Sequence, residues 1–281
     1  MLKFIKITTL KNYNILVTGY KGFIGSSLLS ELKKNKPDKC SEILLFEKDD
    51  IDEYKQWKKN LEELVESSEI IFHIGADSNT LNHNVNEVMF YNYYFSKVLF
   101  DFVGSSNKKV IYSSSAACYG SSNLPENIYG WSKYLAEQYG LVKIKNFNAL
   151  RYFNVYGPGE NHKGNMSSVA YQALTSNEPY FKLFPGNPKR DFIYVKDVIN
   201  ANIFCMKNKI NKGVYDVGTG EQNTFENIVE ILNKKVEYYD SSKIPNNYQF
   251  STQANKNRFI PEWKPKYNLN KGLKDYIEST K

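Results

Sequence analysis

Long apolar runs are missing from this chain. None reaches the roughly 18 residues that a membrane-spanning helix needs, and the mean hydropathy is -0.53, so no membrane association is expected. The first dozen residues, Met1 to Asn12, lack the apolar stretch and small-residue cleavage site of a signal peptide and read as a short extension before the first strand. Cysteine is scarce too. Cys40, Cys118 and Cys205 are odd in number and show no metal-ligand spacing, which argues against a disulfide framework and against a metal site. Reduced thiols in a cytoplasmic protein fit this usage. The formal charge is +7, yet no basic stripe interleaved with aromatics appears, so nucleic acid is not an expected partner. The lysines are spread among acids, as on a solvated surface. A more specific use of the excess charge is a diphosphate-bearing ligand. Internal repeats and low-complexity tracts are absent as well.

What is present is enough for a large core: 281 residues, 41% of them hydrophobic. The first half alternates two periodicities. Short apolar runs at 13–18, 42–47, 70–74 and 109–114 read as strands. Between them, apolar residues at helical spacing mark helices from Phe23 to Asn35, around Leu61 to Val65, from Val85 to Gly104 and from Trp131 to Ile144. This is the pattern of βαβ units. It predicts an α/β fold, a Rossmann-type doubly wound parallel sheet with a smaller C-terminal α/β substrate lobe. After Arg151 the texture changes, with loops at 156–165 and 184–189 before strands near 191–195 and 214–217 and helices near 198–206 and 225–232. The expected division is a dinucleotide-binding domain of residues 1–155 plus about 187–218, and a substrate-binding lobe of about 156–186 plus 219–281.

Three groups of residues suggest chemistry. Gly19, Gly22 and Gly25 follow the first strand and open the first helix together with Phe23 and Ile24. Glycines there permit a tight turn and let the backbone approach a pyrophosphate that faces the helix N-terminus. Glu47 ends the second strand, where a carboxylate accepts from ribose hydroxyls and repels a 2′-phosphate. That favours NAD, although Lys48 beside it could accept such a phosphate. Ser115 closes the fourth strand, and Tyr129 and Lys133 lie one helical turn apart on a single face. A tyrosine is a weak base near neutral pH and needs a neighbouring cation to favour the phenolate. Lys133 can serve as that cation and hold the nicotinamide ribose, while Ser115 steadies a substrate oxygen. His73 ends a buried strand and reads as a core histidine.

These motifs together identify the chain as similar to the extended short-chain dehydrogenase/reductases, the family of nucleotide-sugar epimerases and dehydratases. The resemblance is carried nearly end to end, by 17–25, 72–76, 112–115, Tyr119-Gly120, 129–133, 151–158, 190–192 and 218–220. The family's dehydratases carry Thr-Asp-Glu where this chain has Ser115-Ala116-Ala117, which argues against elimination of water. Within the family, the stretches 162–170, 182–186, 189–192 and 248–254 most resemble the ADP-glycero-manno-heptose 6-epimerase branch.

That resemblance implies oxidation of a carbinol to a ketone and re-reduction from the other face, with two acid/base groups on opposite sides of the sugar. Tyr129 is one, and Lys163 matches the position of the second, with His162 helping to place it. The resemblance further implies cofactor contacts at Ile74, Gly75, Ala76, Asp77, Ser78 and Val155. Substrate contacts are implied at Asn154, Asn165, Gln172, Phe184, Gly186, Asn187, Arg190 and Tyr248; Arg190 is suited on its own account, since guanidinium pairs bidentately with phosphate oxygens. The cofactor is NAD(P): the branch implies NADP, whereas Glu47 and a shortened basic segment from Lys48 to Lys59 favour NAD. The branch has glutamate and cysteine where this chain has Ile74 and Asp77, and serine and histidine where it has Asn165 and Gln172. The loop between Tyr119 and Tyr129 is clipped. These departures bear on the sugar and on the cofactor form. The partner implied is a nucleotide-sugar, and the family implies a homo-oligomer. A net dehydrogenase or reductase of a nucleotide-linked sugar shares Ser115, Tyr129 and Lys133, and a non-catalytic nucleotide sensor is a reading of another class.

Overall fold

A computed structural model describes residues 12–53, 56–120, 123–244 and 249–280. From the N-terminus it contains β1 (Tyr13–Thr18), α1 (Phe23–Lys34), β2 (Cys40–Phe46), α2 (Lys48–Glu53), α3 (Trp57–Glu66) and β3 (Ile70–His73). Then come α4 (Val85–Met89), α5 (Phe95–Val103), β4 (Lys109–Ser115), α6 (Ile128–Lys143), β5 (Asn146–Tyr152) and β6 (Asn154–Tyr156). The remainder holds α7 (Val169–Thr175), β7 (Tyr180–Leu183), β8 (Lys189–Arg190), β9 (Phe192–Tyr194), α8 (Val195–Lys207), β10 (Gly213–Val217) and β11 (Asn223–Thr224). It closes with α9 (Phe225–Ile231), β12 (Lys235–Tyr238) and α10 (Leu269–Ser279).

Six strands form one sheet in the order β10-β5-β4-β3-β1-β2, and every pairing in it is parallel. Strand alternation sends neighbouring side chains to opposite faces. Ile15, Val17, Phe72, Ile111 and Leu150 face a layer that includes Leu28 of α1 and Val198 and Ala201 of α8. Leu16, Ile71, Val110 and Ala149 face the other layer, with Leu61 of α3, Leu99 of α5 and Ala136 of α6. Both faces are covered, which is why these strands read as continuous apolar runs. The smaller sheets pair β7 with β12, β8 with β11 and β6 with β9. Asp191, buried between β8 and β9, accepts from the backbone N–H groups of Thr219, Gly220 and Ala254 and so ties three distant segments together.

The expected helix from Val85 to Gly104 is not continuous. Phe90–Tyr94 form a π turn between α4 and α5, and Asn92 inside it is 1% exposed. Strand β5 has no counterpart in the periodicity reading. Its buried Asn148 and Arg151 interrupt the apolar pattern, and each is satisfied by a distant partner, Asn211 O for Asn148 and the Glu137 carboxylate for Arg151. The segment expected as strand to Val195 turns helical at that residue.

Candidate active site

The sheet order reverses at β1, so β2 and β3 flank it and a crevice opens beyond their carboxyl ends, where doubly wound folds bind ligands. Gly19 follows β1 and Gly75 follows β3. The two turns touch so closely that a Cβ on Gly19 would lie 2.3 Å from the Gly75 Cα, and Gly19 has φ +71°. Gly25 brings α1 equally close, since its Cβ would fall 1.9 Å from the Gly19 carbonyl oxygen. Only glycine meets both demands. Gly22 is the N-cap of α1 and supplies no side-chain cap, leaving first-turn N–H groups available to an anion.

The crevice is a cavity of about 690 Å³ bordered by Gly19, Gly22, Glu47, Asp77, Ser115, Tyr129, Lys133 and Lys163, among others. Ser115 ends β4, and its Oγ accepts from Ala117 N–H at 3.1 Å, capping a short turn. Asn127 caps α6 by accepting from Gly130 N–H at 2.7 Å, which sets Tyr129 in the first turn and Lys133 in the next. Burial pushes the Tyr129 phenol up to about 12, against the pull of its hydrogen bond with Ser115. Burial also brings the Lys133 ammonium down to about 7, and its Nζ sits 4.4 Å from the centre of the Tyr112 ring. Burial is the largest influence on both groups in the protein alone. Both groups are out of water, and desolvation disfavours each charged form.

A chain of buried polar groups fixes the walls. Gly75 N–H and the Thr18 hydroxyl lead to His73 Nδ1, and His73 Nε2 meets Ser96 Oγ at 2.8 Å. Ser96 donates to Asn92 O, so Nε2 carries the His73 proton and Thr18 donates to Nδ1. Burial, with the Lys133 charge second, holds His73 well below the ordinary imidazole range. The Asn92 side chain accepts from Asp77 N–H at 2.7 Å and donates to Asp77 O at 2.9 Å and Ser132 Oγ at 3.0 Å. The π turn thus clamps the loop after β3 to helix α6. Behind Ser115, fully buried Glu137 accepts from Ser114 Oγ at 2.8 Å and from Arg151 at 2.9 and 2.6 Å.

Residues 15–218 match the model of a family described as "Epimerase: NAD dependent epimerase/dehydratase family". The chain belongs to this family. It is 30% identical to an ADP-L-glycero-D-manno-heptose-6-epimerase of Fusobacterium nucleatum, across 94% of this chain and 97% of that one. The crystal structure of the Helicobacter pylori ADP-L-glycero-D-manno-heptose-6-epimerase is similar at a TM-score of 0.79 and 31% identity, covering 96% of both chains. A UDP-glucose 4-epimerase of Thermotoga maritima, solved with UDP-glucose, matches at a TM-score of 0.78 and 25% identity over 95% of this chain and 98% of that one.

As a family member, the protein uses a nicotinamide cofactor, and the residues present fit one: an uncapped helix start, two glycine turns in contact and an acid at the end of β2. All the residues expected around the cofactor, Gly19, Gly22, Phe23, Ile24, Gly25, Glu47, Lys48, Ile74, Gly75, Ala76, Asp77, Ser78, Lys133 and Val155, border the one cavity with Ser115, Tyr129 and Lys163. Glu47 accepts from Lys21 N–H at 2.9 Å, and Lys48 Nζ lies 4.2 Å from the Tyr91 ring centre and 3.9 Å from Glu87.

Of the residues expected at the substrate, Ser115 borders the cavity and the others described do not. Asn154 meets Thr252 at 3.4 Å. Gln172 turns back to the carbonyls of Asn165 and Ser167. Phe184 packs on Tyr239 with ring centres 5.6 Å apart. Gly186 and Asn187 follow it with positive φ, and Arg190 is buried beside Phe225. None of these borders the cavity, and Tyr248 lies outside the described residues. Sequence reasoning missed Asn92, Glu137 and Glu160. For Glu137 a signal existed: it stands four residues after Lys133, on the same helical face, and a lone arginine in an apolar strand calls for a buried acid.

Proposed function

We propose that this nucleotide-sugar epimerase inverts C6 of a nucleotide-linked heptose, with ADP-glycero-manno-heptose as its substrate. The observation that carries the reading is that Tyr129 and Lys163 border a single cavity, Tyr129 from α6 and Lys163 from the loop between β6 and α7. One carbinol can then be served by an acid/base group on each side. The hydroxyl proton passes to one of the two groups as the carbinol becomes a ketone. After the intermediate turns, the ketone oxygen takes a proton from the other group, and no electrons are gained or lost overall. When bound, the oxidised nicotinamide supplies the hydride acceptor and a positive charge that favours the phenolate. Ser115 hydrogen-bonds the substrate oxygen, and Lys133 anchors the ribose. The heptose assignment draws on the two relatives at 30% and 31% identity.

NAD is the form proposed. The Glu47 carboxylate is fixed at the cavity edge by Lys21 N–H, where it repels a 2′-phosphate, and Lys48 is engaged by Tyr91 and Glu87. Mass spectrometry of the nucleotide released on denaturation tests this, and NADP would overturn it. Among the described residues no helix is long and apolar enough to cross a membrane, and a cytoplasmic location is part of the reading. So is a homo-oligomer joined through α6, whose Trp131, Leu135 and Val142 are exposed at 40%, 38% and 86%. The division into a cofactor domain and a substrate lobe, with Asn154, Asn165, Gln172, Phe184, Gly186, Asn187, Arg190 and Tyr248 contacting the nucleotide-sugar, belongs to the same proposal. Protein incubated with ADP-glycero-manno-heptose should interconvert its C6 epimers with no net consumption of cofactor. Net oxidation or reduction without interconversion refutes the reading.

A further inference from the structure

We infer that Glu160 is a positioning residue that holds Lys163 for proton transfer opposite Tyr129, an inference that rests on the role given to Lys163 above. Glu160 is fully buried, an expensive place for a carboxylate unless its oxygens are satisfied. Here they are. Oε1 accepts from Gly157 N–H at 3.0 Å and from the Ser168 hydroxyl at 2.7 Å; Oε2 accepts from Ser168 N–H at 2.7 Å. Gly157 lies just after β6 and Ser168 is the N-cap of α7, so one carboxylate pins both ends of the intervening loop.

Lys163 is the cation inside that loop. Its N–H donates to Glu160 O at 2.9 Å, and its Nζ lies 3.7 Å from Glu160 Oε2. The Phe23 ring, in the first turn of α1, has its centre 5.3 Å from the same Nζ. The ammonium therefore has a buried carboxylate and an aromatic ring as neighbours at the edge of the cavity. A loop needing only closure could use a neutral cap, as Asn127 and Asn268 do for their helices. A buried carboxylate beside a lysine does more: it fixes the position of the Lys163 Nζ. Misplacement of an acid/base group by even about 1 Å is enough to slow proton transfer strongly.

The test uses holoenzyme carrying its bound nicotinamide, with ADP-glycero-manno-heptose as the probe, and compares Glu160→Gln, Ser168→Ala and Lys163→Ala. Glu160→Gln should lower kcat for epimerisation by about 10- to 100-fold with KM changed less than about threefold. It should also raise the steady-state absorbance of reduced nicotinamide when the reaction starts from the epimer that Tyr129 serves, because the first half-reaction is spared and the second slowed. Ser168→Ala keeps the charge but loses one tether, and should show the same signature with a smaller fall, about 3- to 10-fold. Full epimerisation by both the Glu160→Gln and Ser168→Ala enzymes, with Lys163→Ala inactive, overturns this inference and leaves the Lys163 reading standing. Full epimerisation by Lys163→Ala overturns the Lys163 reading itself. If Glu160→Gln loses bound cofactor or fails to fold, the Ser168→Ala result decides: equal slowing of both half-reactions makes the role structural and overturns the inference.

Discussion

Replacing Arg151 with methionine should cost the protein far more than the loss of a surface arginine. The guanidinium binds Glu137 through two hydrogen bonds of 2.9 and 2.6 Å, and the two side chains are 8% and 0% exposed. Only neutral donors, the Ser114 hydroxyl and the Gln138 side-chain amide, then remain on that carboxylate among the hydrogen bonds described. Breaking a buried pair from one side leaves an uncompensated charge and costs about 3–5 kcal/mol. For a chain of this size that corresponds to a fall in Tm of roughly 6–20 °C. Removing both partners is different, because the desolvation penalty disappears with the charge; Glu137→Met with Arg151→Met should recover most of the loss. Thermal unfolding of wild type, the two single variants and the double variant measures this cycle. An Arg151→Met protein as stable as wild type, or a double variant as unstable as the worse single one, would refute the reasoning. The pair also backs the strand end that carries Ser115, so Arg151→Met should slow turnover at temperatures where the fold is intact.

Burial costs the Lys133 ammonium much of its proton affinity, and the sign of its linkage follows. Its value falls from 10.5 to about 7, so the unfolded chain binds more protons between those limits and the stability of cofactor-free protein rises with pH there. The penalty is fully present below about pH 7 and fades toward pH 10. Lys133→Met should stabilise cofactor-free protein by about 2–4 kcal/mol at pH 6 and by under about 1 kcal/mol at pH 10, while abolishing turnover; equal gains in urea unfolding at the two pH values would contradict this. Asn92→Leu leaves the backbone N–H and carbonyl of Asp77 unpaired, and should cost about 2–3 kcal/mol. It should also weaken nicotinamide binding about tenfold in a fluorescence titration, and unchanged binding would count against the clamp.

The sheet core was legible because its strands are buried on both faces and its crossovers are helical, so two periodicities alternate plainly through β4 and α6. What escaped was polar or non-local. Strand β5 carries Asn148 and Arg151 into the core, and only a partner 63 residues away for one and an acid on α6 for the other make that tolerable. Strands β7 and β12 pair with each other across more than fifty residues, and nothing local in either announces the partner. The π turn was hidden because Asn92 looks like any helical polar residue until Asp77 and Ser132 are seen around it. The same limit applied to the cavity. Glycines, Ser115, Tyr129 and Lys133 announce themselves by type and spacing. Glu160 could not, since its meaning lies in Gly157, Ser168 and Lys163 converging on one buried carboxylate.

The central claim is that one carbon is oxidised and re-reduced with the same hydride. ADP-glycero-manno-heptose carrying deuterium at C6, converted by the holoenzyme in ordinary water, tests it most directly. The account predicts that the epimeric product keeps its deuterium at C6, as read by mass spectrometry and NMR. Replacement of that deuterium by solvent hydrogen at the rate of epimerisation would contradict it, since the carbon would then have been inverted by proton removal.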